Sequence, residues 1–187
     1  MSNLSRISSL SRTALEAVQN LFLAVFTRPI DTRFVDFSLD RQNSELIITS
    51  KEESESGEVG IYRGAYRWPY NKASLNAALP FPLAVQVEYP LTFRALRAQM
   101  LARYEILLEE NEFSMTLGGT PLVDDSVLDH PLLLEFGQFK LFATSSSGRF
   151  LAGTYLTLVF VQPNKRISLR ALFDTTKTDL LGSLAPA

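Results

Sequence analysis

The sequence predicts an α+β fold: a compact, mainly antiparallel sheet packed by one amphipathic helix, with an N-terminal helical arm. Three observations carry this expectation. Apolar and polar residues alternate over short runs, as at residues 35–39 and 83–89, which is the period of a strand. Phe93, Leu96, Met100, Tyr104, Leu107 and Leu108 recur mostly at three- and four-residue steps, the period of a helix with one face on a core. Leu15, Val18, Phe22, Val25 and Phe26 follow the same spacing after a serine-rich lead.

Residues 1–29 read as the arm. Ser11 or Thr13 is placed to cap its helix, and Arg28-Pro29 to end it, because a residue before proline is pushed out of the helical region. Residues 34–39 and 45–49 read as two strands joined through the turn-like Arg41-Gln42-Asn43-Ser44, a hairpin. Residues 51–58 form an acidic, serine-rich loop with almost nothing to bury, expected to be solvated and mobile. Its carboxylates lack the Asp-rich spacing of a calcium loop. Residues 59–68 suit a strand, and residues 74–79 a short helix stopped by Pro80 and Pro82.

Residues 83–89 form the next expected strand. The central helix follows, capped by Thr92 and running to about residue 110. Residues 112–117 read as a strand, Gly118-Gly119 as a turn, and Asp124-Asp125-Ser126 as the cap of a short turn. Residues 139–143 and 155–161 are the last strands, an antiparallel pair. The second is rich in β-branched and aromatic residues and is expected to be central in its sheet and buried on both faces. The resulting division is an arm at 1–29, a core domain at 30–174 and a tail at 175–187.

Composition removes several kinds of chemistry. The 187 residues include no cysteine, so a thiol nucleophile, a disulfide framework and cysteine-based metal sites are excluded. The single histidine, His130, excludes any site needing two imidazoles from one chain. A net charge of −2 argues against a dedicated nucleic-acid binder. No run is long and apolar enough for a membrane span, and the N-terminus lacks the pattern of a cleaved leader.

No pattern of catalytic, cofactor-binding or metal-ligating residues emerges. His130 sits in Asp129-His130-Pro131 with no nucleophile elbow nearby in sequence. The carboxylates Glu109, Glu110 and Glu112 read as solvated groups at a helix end, and no phosphate-binding glycine loop occurs. Arg94, Arg97 and Arg103 make the central helix locally basic, with Arg103 on a different side from the other two. Tyr62, Tyr66, Trp68 and Tyr70 are evenly spaced along one side of a strand until Pro69 breaks it. With Leu15, Val18, Phe22, Val25 and Phe26 they make up the candidate interface, since half-exposed aromatics suit protein contacts.

Several runs together carry a resemblance: Ile61-Tyr62; Tyr70-Asn71-Lys72-Ala73-Ser74-Leu75; residues 83–89; Thr92 with Leu96 and Tyr104; and Phe150-Leu151-Ala152-Gly153-Thr154-Tyr155 with the strand after it. Over residues 59–161 the chain resembles virion structural proteins of large contractile-tailed bacteriophages. It departs from them at Ala152-Gly153-Thr154, where the resemblance implies a bulkier aromatic before the glycine and this chain has Ala152. The resemblance implies a structural or assembly role in the tail, baseplate or neck of a virion. Other virion proteins and further copies of the chain are the implied partners, without a catalytic site, cofactor, membrane or direct nucleic-acid contact. The alternative is a small soluble enzyme or ligand-binding domain with a cleft near Arg94, Arg97 and Arg103 or near His130.

Overall fold

The computed structural model describes residues 10–26, 28–86, 90–128 and 138–161. Within them the fold is α+β, with three helices and seven strands in two sheets. The strands β1 (Val35–Asp40), β2 (Glu45–Ser50) and β3 (Ala65–Pro69) form an antiparallel sheet in the order β1-β2-β3. The strands β4 (Leu83–Gln86), β5 (Phe113–Ser114), β6 (Gln138–Ala143) and β7 (Tyr155–Val161) form a second sheet in the order β4-β7-β6-β5. Its β4–β7 pair is parallel and its other pairs antiparallel. The single sheet expected from sequence is therefore two, each with its own helix and core.

The first sheet is one-sided, as its alternation requires. Leu46, Ile48, Trp68 and Val35 turn to one face and are buried. The opposite face carries ion pairs: Arg67 with Glu45 (2.9 Å) and Asp40 (3.5 Å), and Lys51 with Asp36 (3.1 Å). Helix α1 (Ala14–Val25) lies on the buried face through Ala17, Val18 and Phe22. Thr13 is its cap: the Thr13 hydroxyl accepts from the Glu16 N–H (3.2 Å), and the Glu16 carboxylate accepts from the Thr13 N–H (3.0 Å). The Thr13 N–H, with the Thr13 hydroxyl also donating to the same carboxylate (2.9 Å), lowers the pKa of Glu16 from its ordinary value. The helix expected to lie on a neighbouring molecule thus spends its apolar stripe within its own chain.

The second sheet shares its core with helix α3 (Phe93–Tyr104) and the single-turn helix α2 (Leu75–Ala78). Cross-strand pairs Phe139–Leu158 and Leu141–Leu156 face Phe93, Leu96 and Met100 in one cluster. The strand β7 is internal, as expected. Its alternate residues Tyr155 and Thr157 are only half-buried, so full burial on both faces does not hold along its length.

Thr92 caps α3 by accepting from the Ala95 N–H (3.3 Å). The helix stops at Tyr104, earlier than its spacing suggests, because Glu105 adopts the left-handed conformation (φ 56°). Beyond it Ile106 and Leu108 enter the core with the alternation of an extended chain. Residues 87–89, His130 and the tail at 175–187 lie outside the described residues. The acidic loop, expected to be mobile, is a turn with its own bonds: Ser54 N–H to Glu58 O (2.8 Å) and Gly57 N–H to Ser54 O (2.9 Å). Among the described residues no helix is long and apolar enough to cross a membrane.

Candidate interaction surface

Two features stand out: an aromatic groove at the end of α1 and a buried polar junction between the sheets. The groove has a volume of about 410 Å³ and is lined chiefly by Phe22, Phe26, Ile30, Ile48, Tyr62 and Tyr66. It opens where α1 ends and the chain leaves at Phe26 in an extended conformation (φ −82°, ψ 118°). Phe26 stacks at a tilt on Phe22 (4.3 Å between centroids) and meets Tyr66 edge-on (6.4 Å). The Tyr62 hydroxyl accepts from the Asp31 N–H (3.0 Å), which leaves its ring along the groove.

Of the residues expected to form an interface, four meet here: Phe22, Phe26, Tyr62 and Tyr66. Val25, Phe26 and Tyr66 are exposed (44%, 38% and 53%). Val18 on the inner face of α1 is buried in one cluster with Trp68 and Tyr70, and Leu15 packs half-buried at its border, so these four serve the core and not a surface. Pro69 does not break the aromatic row. The Tyr70 N–H still donates to Ser44 O (3.0 Å), and Pro69 sits where the strand's N–H would face away from β2, so no ladder bond is lost.

The junction was not legible in the sequence. Arg149 and Glu112 are both fully buried, with Arg149 Nη2 and Nε donating to Glu112 Oε2 at 2.6 and 3.1 Å. Arg149 also donates to Leu107 O (2.7 Å) and Arg12 O (2.6 Å). The other Glu112 oxygen accepts from the Ser147 hydroxyl (3.1 Å) and the Gly148 N–H (3.0 Å). The neighbouring carboxylates, expected to be solvated, are also engaged. Glu109 accepts from the Ala14 N–H (2.9 Å) and pairs with Arg41 (3.2 Å), and Glu110 accepts from the Asp124 N–H (2.7 Å). Gly148 permits the close approach: a Cβ there would lie 2.8 Å from that of Ala14. The sequence offers no signal for Arg149 beyond a single charge between Gly148 and the apolar Phe150-Leu151.

Comparison of the chain with known protein families, curated proteins and solved structures finds no match. The arginines considered for a cleft are partnered or exposed. Arg94 bonds Asp125 (3.1 Å) and Asp124 (3.4 Å), Arg97 bonds Asp124, and Arg103 is exposed. A depression of about 250 Å³ separates Arg94, Arg97 and Asp124 from Leu101 and Leu107. Its cations thus already face carboxylates of the same chain. Among the described residues no three His, Asp or Glu side chains gather as metal ligands would.

Tyr70 makes the junction sensitive to alkali. Its hydroxyl donates to Gly148 O (2.7 Å), and burial, with help from the Glu112 and Asp40 charges and against that of Arg41, pushes its pKa up to about 12. A raised value means the folded state holds this proton more tightly than the unfolded chain. The stabilisation is therefore complete below about pH 10 and is lost between about pH 10 and pH 12. Burial lowers the value of Lys72, whose ammonium donates to Arg41 O (2.7 Å), so its contribution runs the opposite way and rises with pH. Thermal midpoints of the parent and of Tyr70→Phe measured from pH 9 to 12 separate the two. The difference between the proteins should shrink across this interval; a constant difference would show that Tyr70 titrates normally.

Proposed function

We propose that the chain is a structural, non-enzymatic component of a tailed-phage virion, in the tail, baseplate or neck. It works through contacts with other virion proteins and with its own copies in a symmetric assembly, with no cofactor and no direct contact with membrane or nucleic acid. It is made in the host cytoplasm and resides in the particle. The observation that carries the reading is the aromatic groove with its exposed rim of Val25, Phe26 and Tyr66. Partly exposed aromatics beside a shallow apolar depression are the composition of a protein contact. The resemblance of residues 59–161 to phage virion proteins supplies the setting.

The alternative, a small enzyme or ligand-binding domain, draws less support. Arg94 and Arg97 are already paired with Asp125 and Asp124, and Arg103 stands exposed. Immunogold labelling of purified particles from a host carrying the coding sequence tests the proposal. Labelling at one fixed level of the tail or neck is the expected result. Recovery of the chain only in the soluble lysate, with unlabelled particles, would overturn it.

A further inference from the structure

The three-stranded sheet ends in an edge that the described residues leave open, and the edge has a definite polarity. Ser50 N–H donates to Gly64 O (2.9 Å) and Tyr70 N–H to Ser44 O (3.0 Å). In an antiparallel ladder the bonding side alternates, so Gly64, Tyr66, Trp68 and Tyr70 bond β2 while Ala65 and Arg67 turn their N–H and C=O groups away from it. Among the described residues β3 has β2 as its only ladder partner. The opposite edge differs: β1 approaches the 146–149 loop, with Leu39 and Arg41 beside Gly148 and Arg41 donating to Ser146 O (3.4 Å). Exposed apolar side chains lie beside this edge: Tyr66 on β3 and Phe26, whose ring meets it, with Val25 next to Phe26.

We propose that this edge pairs with the same edge of a second copy, β3 against β3, about a two-fold axis at Tyr66. The proposal rests on the assembly reading and names its first contact. The axis follows from the residues. Opposed residues of an antiparallel pair must both point toward the partner or both away from it, so the axis within β3 passes through a residue and not between two. An axis at Trp68 sets Arg67 opposite Pro69 and one at Pro69 sets the two prolines opposite each other, and either loses edge bonds because proline has no N–H, which leaves Ala65, Tyr66 or Arg67. An axis at Ala65 sets Arg63 opposite Arg67, and one at Arg67 sets the two Arg67 side chains opposite each other; like charges so placed are destabilising. An axis at Tyr66 sets Ala65 opposite Arg67, where both exchange backbone bonds. It also sets Arg63 opposite Pro69, which has no N–H to leave unsatisfied. Arg67 is already neutralised by Glu45 and Asp40. The two Tyr66 rings then face each other on the α1 side, next to Phe26 of each copy, and the two sheets become one of six strands. Such a contact is isologous and closes on itself.

The absence of cysteine makes the register directly measurable. Tyr66→Cys alone is expected to give a disulfide-linked dimer under mild oxidation, since a pair without backbone bonds brings its Cα atoms to about 4.5 Å. Ala65→Cys and Arg67→Cys are each expected to stay monomeric on a non-reducing gel and to link when mixed. Light scattering of the parent chain over a concentration series should show a dimer. Ala65→Pro, which removes two symmetry-related edge donors and leaves the β2 ladder intact, should weaken that dimer about tenfold or more. A monomer at every concentration would overturn the proposal and leave the edge to a strand of another protein. Linkage of all three single cysteines alike would overturn the register as random collision. A dimer indifferent to Ala65→Pro and to Tyr66→Cys oxidation would place the interface elsewhere. The assembly reading fails separately: unlabelled particles would refute it even if the dimer forms, and labelled particles would preserve it if the isolated chain is monomeric.

Discussion

Glu112→Ala is expected to destabilise the protein by about 3–5 kcal/mol, the usual result of leaving one member of a buried ion pair alone. For a chain of this size that corresponds to a fall in thermal midpoint of roughly 6–20 °C. The reason lies in what Arg149 would keep. Its guanidinium is fully buried and also holds Leu107 O and Arg12 O, so it would keep its charge in the interior after losing the Glu112 carboxylate. Arg149→Met should cost a comparable amount, because Glu112 would keep only the Ser147 hydroxyl and the Gly148 N–H. The double variant Glu112→Ala with Arg149→Met is expected to be less destabilised than the sum of the singles, since neither charge then remains in the core. Urea unfolding of the four proteins measures this cycle. Single variants within about 1 kcal/mol of the parent would mean that the pair behaves as a solvated surface contact.

Phe22→Ala carries the second large effect, about 3–5 kcal/mol. Phe22 is 1% exposed and meets Trp68 edge-on at 5.3 Å, Phe37 at 6.3 Å and Phe26 at 4.3 Å. It is the ring through which α1 grips the sheet. Hydrogen exchange separates a docked helix from a loose arm. In the parent, the amides of Val18 to Val25 are expected to exchange slowly, with protection close to that of β2. In Phe22→Ala the helix should lose that protection while β6 and β7, in the other core, keep theirs. Fast exchange of α1 in the parent would mean that the helix is a loose arm, not docked on the sheet.

The sequence made much of the fold legible where one period dominates a segment. Residues 155–161 are the strand their composition suggests, the hairpin of β1 and β2 falls where alternation puts it, and Thr92 caps α3. The end of α3 was not legible, because Tyr104, Ile106 and Leu108 fit an alternating chain as well as a helix face. The left-handed turn at Glu105 decides between them, and that conformation is uncommon outside glycine. Alternation also tells which face of a strand is buried but not which sheet it joins, so two sheets read as one. The candidate surface was half legible. Even spacing put Tyr66, Trp68 and Tyr70 on one face, but only the reach of α1 determines which rings it covers: Trp68 is beneath it and Tyr66 is left at the rim. The Glu112–Arg149 pair depends on two residues 37 positions apart meeting in the interior, and no local pattern records such an encounter.

The start of the chain has a consequence for the order of folding. Ala14 N–H is held by Glu109 and Arg12 O by Arg149, partners 95 and 137 residues further on. A ribosome delivers the α1 segment and the strands it covers before Glu109 and Arg149. The anchor for its leading end, Arg149, emerges 137 residues after Arg12. The three-stranded half can therefore gather around α1 early, while its fastening to the other half waits on the loop that carries Arg149. Contacts of such separation carry a large loop-closure cost and tend to set the pace of folding. The chain's first described residues are thus among the last to reach their final partners.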